Sequence, residues 1–133
     1  MPNYSVKKSD AMEAIYGGAF KRARAELGVE SFGMQVIDMP PKADQYPEHD
    51  HSEDGQEEVY LALRGSADIE IEGENHRLDP GTMVRVGPGV KRKITTGDEG
   101  VRILALGGCA GKPYEAPDIT NLGSPDPAAQ APA

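Results

Sequence analysis

Glycine and proline divide the middle of this chain into short apolar segments, and their spacing limits what the chain can fold into. The segments lie at 57–64, 67–72, 75–78, 82–86, 90–96 and 100–107. Turn-forming stretches such as Asp79-Pro80-Gly81 and Gly87-Pro88-Gly89 separate them. Many short strands at near-regular spacing predict an all-β sandwich or barrel. Because nothing between residues 31 and 108 resembles a crossover helix, we expect the sheets to be antiparallel.

The two ends of the chain differ from this β region. Residues 19–27 place apolar side chains on one helix face, and Gly28 is suited to end that helix. A shorter helix is predicted before it, from about residue 11 to residue 16. Prolines recur after residue 108, so we expect residues 110–123 to lie along the surface and the end of the chain to be mobile. We therefore predict three parts: a helical segment at 1–30 that packs on the barrel, a β-barrel at 31–108, and a proline-rich tail at 109–133.

Charge and composition exclude several classes of partner. The chain has 22 acidic and 14 basic residues, a formal net charge of -8. Phosphate binding needs a basic face, so this charge argues against nucleic acid as a partner. No apolar run approaches the roughly 20 residues of a membrane-spanning helix, and the first residues do not resemble a secretory signal. The single cysteine, Cys109, cannot form an internal disulfide. These features predict a cytoplasmic protein that binds neither a membrane nor nucleic acid.

A pair of histidines and a glutamate form the candidate metal site. His49 and His51 are two residues apart, so on an extended segment their side chains point to the same side. Glu58 opens the next apolar run, and a hairpin between the two segments would bring both imidazoles and the carboxylate onto one cation. Two histidines with one carboxylate can hold a divalent transition metal: iron, manganese, nickel, copper or zinc.

The order of these signals resembles the cupin family, whose fold is a small antiparallel β-barrel of the jelly-roll type. The family's first motif is matched by His49, His51, Glu58 and Gly65, although the loop from His51 to Glu58 is longer than usual. In the second motif Gly81 and Gly89 match, whereas Arg92 stands where the family usually has a histidine. The resemblance spans roughly residues 31–108 and implies a small single-domain cupin with an all-β, antiparallel jelly-roll barrel.

The resemblance also implies a function. A cupin of this size is expected to bind a small organic molecule in the barrel, with a divalent metal on His49, His51 and Glu58. The chemistry it implies is oxygenation, isomerisation or decarboxylation, but cupins also include storage proteins and sensors. Dimerisation is expected from the same resemblance, and Val59 and Leu61 with Leu63 form an apolar strand face that something must cover.

Arg92 leaves two hypotheses open for the site. It shares a strand face with Val90 and Ile94, which predicts that it points inward. A guanidinium stays charged and cannot ligate a metal. In the first hypothesis the metal is present and Arg92 binds the anionic part of a small ligand. In the second, Arg92 pairs bidentately with Glu58, takes the place of the metal, and the protein is a metal-free sensor or ligand-binding module.

Two further residues are candidates for ligand contact. Gln56 lies in the lengthened loop, where a solvated position is the alternative interpretation. Tyr60 lies on the same strand face as Glu58, where a packing role in the core is the alternative.

Overall fold

The computed structural model describes residues 3–128, and most regular structure within them is β. Residues 1–2 and 129–133, the ends of the predicted N-terminal segment and of the predicted tail, lie outside the described residues. The nine strands between residues 3 and 128 are β1 Ala14–Ile15, β2 Phe20–Lys21, β3 Gly33–Met39, β4 Glu57–Gly65, β5 Ala67–Ile71, β6 Glu74–Leu78, β7 Met83–Val86, β8 Arg92–Thr95 and β9 Val101–Gly108. They are accompanied by one helix, α1 Ala23–Leu27, and by 3-10 turns at Ser9–Ala11 and Asp118–Thr120.

The strands form two antiparallel sheets. One sheet has six strands in the order β1-β2-β3-β9-β4-β7, and the other has three in the order β6-β5-β8. The six segments predicted between residues 57 and 107 are strands β4 to β9, with bounds that differ by no more than two residues. The predicted all-β, antiparallel architecture is therefore confirmed, while closure of the sheets into a barrel stays a prediction.

One hydrophobic core lies between the two sheets. The buried side chains of this core come from both sheets: Ile37, Met39, Tyr60, Ala62, Ala67, Ile69, Leu78, Val86, Ile94, Val101, Ile103 and Ala105. Period-2 alternation turns Tyr60 and Ala62 of β4 inward. Glu58 shares their face, so the carboxylate stands at the end of the apolar interior. Leu63, on the opposite face, is 47% exposed.

The N-terminal segment is largely not helical, and the prediction of a helix at residues 11–16 is wrong. Strands β1 and β2 form a hairpin in which Ile15 pairs with Phe20, and β2 continues the sheet beside β3. Tyr16 opens the turn in a left-handed conformation at φ 56°. A helix this short is marginal, so pairing with the sheet edge outweighs its weak propensity. Of the second predicted helix, α1 forms, and Gly28 ends it at φ 80°.

The helices of the described residues are short. No helix within residues 3–128 is long and apolar enough to cross a membrane.

Two buried arginines fix the tail against the N-terminal segment. Arg22 is 1% exposed. Its guanidinium donates hydrogen bonds to the backbone carbonyls of Ile119 at 2.8 Å and Ser124 at 2.9 Å. Arg24 donates to the Asn121 side chain at 2.7 Å. Residues 110–123 therefore follow the surface as predicted, held by side chains from the N-terminal segment.

Candidate metal centre

The histidine segment is held by the turn before β8 and by the first residue of that strand. His49 exchanges two backbone hydrogen bonds with Arg92, at 3.0 and 2.9 Å, and the amide of His51 donates to the carbonyl of Pro88 at 2.7 Å. The predicted hairpin with the Glu58 strand does not form, because the segment pairs with Arg92 across the interior. The predicted common orientation of the two imidazoles does hold, and their ring centroids are 5.2 Å apart.

Glu58 meets both imidazoles at one carboxylate oxygen. Its Oε1 lies 3.0 Å from His51 Nε2 and 3.7 Å from His49 Nε2. The Tyr60 hydroxyl, two residues along the same strand face, donates to that oxygen at 2.6 Å. One ligand atom from each of His49, His51 and Glu58 lies within 4.8 Å of the other two. The structure thus brings the three sequence-predicted ligands together.

The Nδ1 atoms of the histidines already have acceptors. His49 Nδ1 is 3.0 Å from the Pro47 carbonyl, which can only accept a hydrogen bond. His51 Nδ1 is 3.1 Å from both oxygens of the Asp54 carboxylate. With the protons on Nδ1, both Nε2 lone pairs face Glu58.

The His51 Nε2 atom indicates that the site can accept a cation. It is buried, and with the proton on Nδ1 it has no hydrogen-bond partner, although Glu58 Oε1 is only 3.0 Å away. A lone pair and a carboxylate oxygen repel each other at this distance unless a proton or a metal cation lies with them. The donor set therefore fits a divalent cation held by His49, His51 and Glu58.

A proton on His51 is the alternative to a metal cation at this site. Burial opposes ionisation of Glu58, but the contacts with His49, His51 and Tyr60 outweigh it and hold its pKa well below the usual range. The contact with Glu58 raises the pKa of His51 against the opposing effect of burial, and Asp54 adds to the rise. Without a metal the site therefore favours a proton on His51.

Arg92 points inward, as its strand parity predicted. It is 0% exposed, and its Nη2 lies 3.7 Å from Glu58 Oε1, which is a single long contact and not the bidentate pair of the second hypothesis. Its other contacts are long hydrogen bonds of 3.5 Å to the carbonyls of His49 and Gly87. Its Nε has no partner among the described residues. The guanidinium thus retains hydrogen-bonding capacity beside the candidate metal site.

Two tyrosines line the site from the interior. Tyr60 is 0% exposed, and burial, together with the negative charge of Glu58, raises its pKa. Burial likewise raises the pKa of Tyr46 to about 12. The Tyr46 ring lies 5.4 Å from that of His49, centroid to centroid. Both phenols therefore stay protonated. Tyr46 was not predicted from the sequence as part of the site. Its position three residues before His49 was the one available signal.

Gln56 is buried, not solvated, but it contacts Asp54 in place of the metal ligands. Its side-chain amide donates to Asp54 Oδ2 at 3.2 Å. It also lines an open cleft of about 700 Å³ with Asp54, Cys109, Tyr114 and seven other residues of the loop and tail. A second cleft, of about 860 Å³, lies near Tyr16 and is not lined by the histidines or Glu58. Neither of these two clefts contains the candidate metal centre.

Comparison with known proteins identifies the family. The model of the cupin domain matches residues 35–107, more than half of the chain. The chain belongs to the cupin family. The match covers the segment from β3 to β9, including every candidate ligand. No curated protein matched the chain.

Solved cupin structures resemble this one and have diverse roles. A cupin protein from Bacteroides fragilis is 28% identical, with a TM-score of 0.68 over 90% of this chain and 95% of that one. The DMSP lyase DddQ from Ruegeria pomeroyi is 28% identical, with a TM-score of 0.54 over 68% of this chain and 45% of that one. The cupin domain of an XRE family transcriptional regulator from Enterobacter cloacae shares the fold at 21% identity and a TM-score of 0.53, over 67% of this chain and 87% of that one.

Proposed function

We propose that this cupin binds a divalent transition metal on His49, His51 and Glu58, together with a small organic anion that Arg92 holds. The observation that carries the proposal is the convergence of His49, His51 and Glu58, in which the buried His51 Nε2 faces Glu58 Oε1 at 3.0 Å with no partner when its proton is on Nδ1. A structural ion pair has no need of two imidazoles aimed at one carboxylate. A metal accounts for all three groups.

Arg92 supplies the anion specificity. Its guanidinium is fully buried, is always charged, and is held by long contacts that an incoming carboxylate can replace with shorter ones. Tyr46 stays protonated, so its hydroxyl is a donor to a second oxygen atom of the ligand, whereas the Tyr60 hydroxyl proton is already donated to Glu58 Oε1. The substrate class is therefore a small carboxylate or a similar oxyanion.

The metal would supply Lewis-acid polarisation of a bound carbonyl or carboxylate, or an open position for O₂. This is the chemistry of isomerases and oxygenases. The 28% identity to DddQ, which is named a DMSP lyase, supports an enzyme and adds bond elimination to the reaction classes worth testing. This chain spans 45% of the DddQ chain, so the comparison bears on the cupin domain and not on the whole enzyme.

The test is metal content and metal titration. Protein purified without a chelator or nickel resin should contain about one equivalent of a transition metal by elemental analysis, and the apoprotein should bind Co²⁺ stoichiometrically. Removing a group that only hydrogen-bonds to a metal ligand weakens metal binding roughly 10- to 100-fold. Because His49 and Glu58 are proposed as ligands themselves, His49→Ala or Glu58→Gln should weaken Co²⁺ binding by more than this. The matched control is His76→Ala, because the His76 side chain is 51% exposed and lies outside the site.

Two results would contradict the proposal. One is less than about a tenth of an equivalent of metal combined with no Co²⁺ binding on titration. The other is equal loss of Co²⁺ affinity in His76→Ala and His49→Ala, because metal bound at surface histidines would then explain the signal.

A metal-free ligand-binding cupin is the second candidate. The observation that favours it is the contact of Arg92 with Glu58, at 3.7 Å, between two groups that are both largely buried. In this case Glu58→Gln leaves Arg92 without a counter-charge, so affinity for a small carboxylate should rise or stay constant. In the metal-dependent case the same substitution lowers carboxylate affinity together with metal affinity. Isothermal titration with a panel of small carboxylates, with and without metal, separates the two.

We also propose that the protein is a homodimer. The outward side chains of β4, β7 and β9 form an apolar row, because Leu61 pairs with Leu104 on one side and with Met83 on the other, and the Arg85–Glu57 ion pair lies beside it. The three-stranded sheet lies on the opposite side of these strands, and Met83 is 74% exposed. A second copy of the chain would cover this face.

A further inference from the structure

We infer that Asp54 is a positioning residue for the metal centre: it fixes the tautomer and orientation of His51 so that Nε2 is free to bind the cation. The inference rests on the proposed metal site and concerns the lengthened loop between His51 and Glu58. Asp54 contacts no other candidate ligand through its carboxylate. Its effect on the metal therefore passes through the His51 ring.

The Asp54 carboxylate is symmetrically placed on His51. Both oxygens lie 3.1 Å from Nδ1, so the Nδ1 proton is shared between them. The loop closes tightly around this contact, since the amide of Gly55 donates to the carbonyl of His51 at 2.8 Å. A histidine that binds a metal through one nitrogen commonly donates its other N–H to a carboxylate, which orients the ring and makes it a stronger ligand.

Gln56 in turn holds Asp54. Its backbone amide donates to Asp54 Oδ1 and its side-chain amide to Oδ2, each at 3.2 Å. The Gln56 side chain is buried against Gly107, where an added Cβ would lie 2.8 Å from Gln56 Oε1. Gly107 pairs with Glu58 across the β4–β9 ladder. Gln56, which holds Asp54 beside His51, is therefore packed against the same strand pair that carries Glu58.

Two carboxylates compete for the single proton of neutral His51. Asp54 lies on the Nδ1 side at 3.1 Å, and Glu58 lies on the Nε2 side at 3.0 Å. If Asp54 loses its charge, Glu58 attracts the proton to Nε2, where it blocks the metal. Removing Asp54 therefore disfavours the metal-binding tautomer without removing any ligand.

The experiment compares Asp54→Asn with Glu53→Gln and Asp54→Glu. Glu53 is the adjacent, exposed acid of the same loop, so Glu53→Gln makes the same charge change without touching His51. We expect Asp54→Asn to weaken Co²⁺ binding roughly 10- to 100-fold, while Glu53→Gln stays near wild type and Asp54→Glu recovers part of the loss. Nitrogen-15 NMR of the histidine rings, recorded on the apoprotein at alkaline pH, should show the proton on Nδ1 of His51 in the wild type and a shift toward Nε2 in Asp54→Asn.

The outcomes separate this inference from the proposed function. Wild-type Co²⁺ binding that Asp54→Asn leaves unchanged overturns the role of Asp54 and leaves the metal site standing. An equal loss in Glu53→Gln, or a loss in Asp54→Asn with no change of tautomer, also overturns it, because the effect is then one of bulk charge. If the wild type binds no Co²⁺ but the His51 tautomer still depends on Asp54, the positioning role stands and the metal function fails.

Discussion

Glu58 Oε1 is the most crowded atom of the site. A phenol, two imidazoles and a guanidinium all approach it, with the Tyr60 hydroxyl nearest at 2.6 Å and Arg92 and His49 at 3.7 Å. Such crowding favours the ionised carboxylate, and it makes His51 and a metal competitors for the same negative charge.

Gly65, the closing glycine of the first motif, has a steric reason to be glycine. Its φ is 72°, and an added Cβ would clash with the carbonyl oxygen of Gly100. We expect Gly65→Ala to lower the free energy of unfolding by at least about 2 kcal/mol, since the left-handed conformation alone costs a residue with a Cβ about 1–3 kcal/mol. Chemical denaturation monitored by circular dichroism measures it.

The control for this prediction is Gly73→Ala. Gly73 has a similar φ of 82°, but nothing lies within 4 Å of its added Cβ. This variant should show only the conformational cost, at the lower end of the same range of about 1–3 kcal/mol. Equal losses in the two variants would mean that the chain relaxes away from Gly100, and the steric explanation of the motif glycine would then be wrong.

Among the elements, β3 carries a charge cluster that joins the N-terminal hairpin to the sheet. The Asp38 carboxylate accepts hydrogen bonds from Arg102 on β9 at 2.7 and 2.9 Å, and from Lys21 on β2 at 2.7 Å. Arg102 also bonds Asp10, so one arginine links three parts of the chain. Burial opposes ionisation of Asp38, but the contacts with Arg102 and Lys21 outweigh it and lower its pKa below 3.8.

Substituting Asp38→Asn should destabilise the protein by about 1–3 kcal/mol at neutral pH, because charged hydrogen bonds are lost. The stabilisation from a lowered carboxyl pKa is complete above the ordinary value of 3.8 and disappears as pH falls through the lower folded-state value. The stability difference between wild type and variant should therefore be constant from pH 7 down to about 5 and shrink below pH 4. Urea unfolding across this range measures it.

Asp98→Asn supplies the comparison. Its pairing with Lys42 is 4.0 Å long, with side chains 99% and 79% exposed. Such a pair is worth about 0–1 kcal/mol, so this variant should stay near wild type. A difference for Asp38→Asn that persists unchanged at low pH would show that its effect is not electrostatic.

The strands were predictable because the glycine and proline residues of the turns between them are visible in the local sequence. The N-terminal hairpin was not predictable in this way. Phe20, Ala23 and Leu27 fit a helix face, but Phe20 pairs with Ile37 of β3, a partner that no local pattern reveals. The clustering of His49, His51 and Glu58 was predictable from the two-residue spacing of the histidines and the position of Glu58 at the start of a strand. The supporting groups Tyr46 and Asp54 were not, because their roles depend on how loops fold over the ligands.

At the scale of the whole molecule, the six-stranded sheet has an unequal pair of faces. Its inner face meets the three-stranded sheet and carries the site, and its outer face carries an apolar row on β4, β7 and β9 beside the ion pair of Arg85 and Glu57. Leu61, Leu104 and Leu106 are each partly exposed there, next to Met83. A contiguous apolar surface of this kind on a small chain is typical of an interface.

The proposed dimer predicts a mass of twice 14.2 kDa by light scattering, and a single substitution should halve it. We choose Met83→Lys because Met83 is 74% exposed, so the change costs the isolated chain little while placing a charge in the interface. Val6→Lys is the control, since Val6 is 86% exposed and lies on the N-terminal segment, outside strands β4, β7 and β9. It should leave the dimer intact.

A wild-type mass of 14.2 kDa would contradict the dimer, and dissociation by both variants would mean that added charge, not this face, controls assembly.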